Sequence, residues 1–334
     1  MKAFVSAGFI VLNILFCGYS INSPFQIVHG GLISKFVLTK KGNIEQQDSS
    51  VISIKVKDLS PKFLSFYNEA IKLNLSENDR WLLWKKKYDF AAVPPTPQGD
   101  SIARKLLNNA WSRYPNVVKE LDKGNLIGKP DPEKILESIT QTLKPEKTIR
   151  ITFLSYVGAF EDNAFTNAAK DEITVAIPRE SSPLTRGLLM THEFTHAVQI
   201  SMGYLSGGYV RTIGAIVVSE GLATRLTQKL HPGLHEGSFI EITPGWLKRC
   251  KAHQTEILKD IREHLSSNDQ NDIMQYTMGK SYLNIEREAY YTGWIVVQHW
   301  LSKGMRFADI ARIPEKAMPL KAMKAIDEIL LSDK

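Results

Sequence analysis

Cysteine is scarce: Cys17 and Cys250 are the only two in 334 residues. A disulfide-stapled scaffold is therefore excluded, and the core has to hold the fold. Internal repeats and long low-complexity tracts are missing, as are RNA- and DNA-reading motifs, so no nucleic-acid partner is expected. Positive charge exceeds negative by 42 Lys and Arg to 35 Asp and Glu, a net +7. This excess is spread along the chain; its densest run is Lys85-Lys86-Lys87. At most it implies a weak contact with an envelope or anionic surface. With 43% hydrophobic and 23% charged residues, the composition is that of a globular protein.

Long apolar runs are also lacking, except at the start. Lys2 precedes an apolar stretch from Ala3 to Cys17, and Gly18 and Ser20 sit at small −3 and −1 positions. The pattern reads as an export signal over 1–20, too short to span a bilayer comfortably, and places the mature protein in a periplasm, cell envelope or medium. A lipoprotein signal ending at Cys17 is the competing reading; Phe16, where a small residue is wanted, argues against it.

Alternating apolar residues predict strands over 35–40 and 50–57. Ser60-Pro61, Ser76 and Asp100 offer helix starts, and a further helix is expected from Asp131 or Pro132 to about Leu143. Strands over 148–156 and 171–180 follow, and the remainder reads as mostly helical. The division expected is 1–20, 21–145 (strands, then mainly helical) and 146–334, which carries the chemistry.

That chemistry centres on "THEFTH". Ser182-Pro183 caps a helix running to about Met202. At 3.6 residues per turn, His192 and His196 share one face, so two imidazoles can reach one metal ion, with Glu193 leaning over its open side. Zinc takes neutral imidazole nitrogen, and a catalytic site keeps three protein ligands and a water. A carboxylate is then placed to take the water's proton. The third ligand must come from downstream. A metzincin continuation fails, because Gln199 and Met202 stand where glycine and histidine are required. From Ala197 to His235 the one acidic residue is Glu220. It lies in a helical pattern, Ile213 to Leu230, with Gly221 and Ala223 leaving little bulk beside it. His231 and His235, flanking Pro232-Gly233, are the alternatives.

His192-Glu193-x-x-His196 followed by Ser219-Glu220-Gly221-Leu222-Ala223 resembles the gluzincin clan of metallopeptidases, and most closely its bacterial zinc-dependent proteases, over roughly residues 148–310. The resemblance implies an α+β, mostly helical zincin-like fold with a small mixed sheet whose edge strand flanks the zinc helix. It implies one catalytic zinc ion held by His192, His196 and Glu220, with Glu193 as general base. Position 224, where thermolysin-like members carry an aspartate that orients a histidine, is Thr224. By the same resemblance the strand 173–178 is the sheet edge that binds substrate, through Thr174, Val175 and Ala176. A tyrosine in "REAYYTGW" would stabilise the oxyanion: Tyr290, which fits a Tyr-x-x-Gly pattern, or Tyr291. Arg287 is expected to pair with a surface acid, and His299 to be structural. The function this implies is hydrolysis of a peptide or protein substrate. A zinc-dependent amidase acting on another envelope substrate and a non-catalytic zinc-binding envelope protein are the alternatives. No acidic anchor for a substrate N-terminus stands out, which favours an endopeptidase.

Overall fold

The computed structural model describes residues 52–121, 129–169, 172–208 and 211–332. The export signal, Cys17 and the strand expected at 35–40 lie outside them. The chain runs β1 (Ile52–Asp58), α1 (Ser60–Lys72), α2 (Glu77–Lys87), α3 (Pro97–Ala110), α4 (Tyr114–Leu121), α5 (Pro132–Leu143), β2 (Ile149–Tyr156), β3 (Phe165–Ala169), β4 (Glu172–Pro178), α6 (Pro183–Ser201) and α7 (Ile213–Leu230). The rest is α8 (Gly237–Ile240), α9 (Trp246–Ala252), α10 (Gln254–His264), α11 (Gln270–Thr277), α12 (Glu288–Ser302), α13 (Phe307–Ala311) and α14 (Met318–Ser332). The class is α+β and mostly helical, as expected.

The sheet is mixed and small, in the order β1-β2-β4-β3, with only β3 antiparallel to its neighbour. Side-chain alternation gives each face its own core. Ile151, Phe153, Val175 and Ile177 pack with α5, α6 and α7, whereas Leu154, Tyr156 and Ala176 pack with the helices of the N-terminal region. The sheet is thus covered on both sides, and β2 is buried at every position but Arg150. β1 belongs to the region before 145, so the sheet itself crosses the division expected there.

One placement differs from expectation. The strand at 173–178 is not an edge: Thr174 pairs with Thr152 on one side and Asn167 on the other, and Val175 and Ala176 are fully buried. Among the described residues the edge on that side is β3, whose sequence, FTNAA, is short and weakly β-branched and gives little strand signal. Pro178 only terminates β4.

The helix starts follow local chemistry. Ser76, Asp131, Ser182 and Thr212 each accept a hydrogen bond from a first-turn backbone N–H. Asp100 does not cap α3. Thr96, followed by Pro97, takes that role one turn earlier, accepting from the Gly99 N–H at 3.1 Å. Ser60 likewise lies inside α1, its N–H donating to the Asp58 carboxylate at 2.9 Å.

Candidate metal centre

α6 is buried on all sides from Gly187 to Gln199, an environment that tolerates polar groups only when they are paired or bind something. On it, His192 and His196 bring their Nε2 atoms 3.1 Å apart. Glu220 of α7 closes the group, with Oε2 at 3.1 Å from His192 Nε2 and Oε1 at 3.5 Å from His196 Nε2. Among the described residues this is the one set of His, Cys, Asp and Glu whose ligand atoms lie together, all within 4.8 Å. Zinc bonds of about 2.0–2.1 Å set neighbouring tetrahedral ligand atoms about 3.3–3.4 Å apart, so the observed separations fit such an ion.

The electrostatics agree. Burial pushes the Glu220 carboxyl up, but the two imidazoles beside it win and hold it well below the usual carboxylate range. Burial pushes His192 down, and Glu220 more than restores it, leaving it above an ordinary imidazole. Glu220 is therefore held as a carboxylate facing the two imidazoles.

Glu193 is fully buried beside these ligands. Its Oε2 accepts from the Thr166 hydroxyl at 2.8 Å, whereas Oε1 has no protein partner. His196 Nδ1 and both amide atoms of the buried Gln199 are also without partners. An orphaned carboxylate oxygen next in sequence to a ligand histidine, and an orphaned ring nitrogen on the other, fit a site built for additional atoms.

Neither alternative histidine joins the cluster. His231 Nε2 lies 2.7 Å from the Thr191 hydroxyl, and His235 Nδ1 accepts from the Gly237 N–H at 3.1 Å. Thr224 gives its hydroxyl to the Glu220 carbonyl of its own helix at 2.8 Å, so it does not replace the missing aspartate.

The two tyrosines part company. Tyr291 has its ring edge-on to Trp246, and its hydroxyl donates to Gln254 Oε1 at 2.9 Å. Its ring packs in a hydrophobic cluster with Leu188, Trp246 and Trp294. Tyr290 is buried on α12. Arg287 is buried too, its guanidinium 5.9 Å from the Tyr290 ring centroid. His299 Nε2 lies 2.8 Å from Glu328 Oε2.

Gly221 faces α12 rather than the ligands: a Cβ there would lie 2.2 Å from the Gly293 carbonyl oxygen, and one on Gly293 would lie 2.2 Å from the Val217 oxygen. The glycine after Glu220 and the glycine three residues after Tyr290 are thus the crossing point of two helices. Sequence reasoning missed this crossing, and it missed Thr166, which lies on a strand with little signal of its own.

No curated protein and no solved structure gives a significant match to the chain. Residues 161–318, which carry β3, both histidines, Glu193, Glu220 and α12, match the family described as "Predicted Zn-dependent protease (DUF2268)".

Proposed function

We propose that the chain is an exported zinc metallopeptidase that hydrolyses peptide bonds of a peptide or protein substrate, with Glu193 as general base. The observation that carries this reading is the meeting of three ligand atoms with a buried carboxylate whose one oxygen is held and whose other is free. A structural site has no use for that carboxylate.

His192, His196 and Glu220 would hold a zinc ion, which supplies Lewis acidity that makes water nucleophilic near neutral pH. Glu193 Oε1 takes the proton from the attacking water and returns it to the leaving amine nitrogen. β3, antiparallel and beside α6, is the outer strand on that side among the described residues, which supports it as the strand along which an extended peptide would lie. Tyr290 is the phenol assigned to the oxyanion. It lies one turn before Gly293, which touches the helix of Glu220 at Gly221. The apolar first twenty residues support export.

Metal analysis and peptide cleavage by wild type and Glu193→Gln test the reading. Both proteins should bind one zinc, and only wild type should cleave. A variant as active as wild type, or a wild type that takes up no zinc, would end it.

A further inference from the structure

The general base is held by a strand, not by its own helix. Thr166 of β3 places its hydroxyl 2.8 Å from Glu193 Oε2 and 2.9 Å from the Glu193 carbonyl oxygen. One hydroxyl has one proton to give. A carboxylate is the stronger acceptor, and the carbonyl already lies within a helix where the backbone serves it. The proton therefore belongs to Oε2. The other oxygen, Oε1, is buried without a partner.

Sheet register enforces the contact. Thr166 pairs with Val175, whose side chain lies in the core that includes Phe194 of α6. Residues opposite one another in an antiparallel pair project from the same face, so Thr166 is aimed at α6. A slip of one residue would put Phe165 or Asn167 there instead.

We infer that Thr166 is a positioning residue for the reaction: its hydroxyl pins Oε2 and so presents Oε1 as the proton acceptor. This rests on Glu193 being the general base. It also joins the strand that an extended peptide would lie along to the carboxylate that serves the bond to be cut.

Thr166→Val keeps the shape and removes the donor; Thr166→Ser keeps the donor. The valine variant should lose about 10- to 100-fold in kcat with KM within about twofold, because the interaction serves the reaction and not substrate binding. The serine variant should stay within about threefold of wild-type kcat. Zinc affinity, measured by chelator competition, should be within about twofold of wild type in both, since the ligands are untouched. Where valine disturbs the strand, Thr166→Ala takes its place in the same measurements. A donorless variant with wild-type kcat overturns the inference. So does a loss of zinc affinity in step with activity, which would make the hydroxyl a support of the metal centre. A zinc-loaded wild type that cleaves no peptide removes the proposed function, and this role of Thr166 falls with it.

Discussion

At the scale of single residues, the ligand group is a contest between burial and attraction. Burial alone would keep Glu220 neutral and strip the proton from His192; their contact reverses both. A dication held there would take up the attraction that Glu220 offers. Glu220→Ala should therefore weaken zinc binding by more than the roughly 10- to 100-fold that outer partners of a metal site contribute. His231→Ala should leave it unchanged. Chelator competition on both variants checks this.

A second residue prediction concerns pH. Glu288 is buried at 1% exposure, one oxygen holds the Ser281 hydroxyl, and the other has no partner. Burial raises its carboxyl to about 7. A folded-state value above the unfolded one means the fold binds this proton more tightly than the open chain does. Its contribution is thus complete below about pH 4.5 and is lost as pH rises through 7. Glu288→Gln should flatten the fall in stability between pH 5 and pH 8 by an amount on the order of 1 kcal/mol, read from thermal midpoints across that range. Equal midpoint changes in variant and wild type would discard the argument.

At the scale of elements, the crossing of α7 and α12 depends on the absence of two side chains. A methyl at Gly221 or Gly293 would meet backbone at 2.2 Å, and backbone cannot turn aside as a flexible side chain can. Either substitution to alanine should cost about 1–3 kcal/mol or more by overpacking, read as a lowered thermal midpoint. Gly221→Ala should also weaken zinc binding, because Glu220 is its chain neighbour. Helices and their starts were largely legible in the sequence, since caps and 3.6-residue periods are local. α7 and the Asp131 cap appear where expected. The sheet was legible only in part. β4 carries strong alternation, but alternation does not say which neighbours a strand will have. A weak segment, β3, takes the edge instead.

At the scale of the whole molecule, the N-terminal helices do more than cover a face. Tyr88 donates to the Val157 carbonyl at 2.8 Å and Tyr114 to the Gly158 carbonyl at 2.9 Å. The Gly158 N–H in turn donates to Glu180 at 2.9 Å, so the loop leading to β3 is held from both sides. A fragment starting at residue 130 loses β1 and these tyrosines and exposes Leu154, Tyr156 and Ala176. It should fail to fold cooperatively, seen as aggregation in size-exclusion chromatography and loss of a thermal transition. The positive run at 85–87 is not a free basic patch either. Lys85 pairs with Asp89 at 2.6 Å and Asp100 at 3.1 Å, and Lys87 pairs with Glu69.

The sequence alone determined that His192, His196 and Glu193 would sit within one helical turn or so of each other, because helical geometry needs nothing beyond i, i+1 and i+4. It singled out Glu220 because so few acids follow. Only tertiary structure decided that β3 and not β4 is the edge, that Thr166 reaches Glu193, that Tyr291 turns to Gln254, and that Gly221 meets Gly293. Each of these is a contact between segments distant in sequence. Strand order and helix crossing arise from the packing of whole faces, and no local period records them.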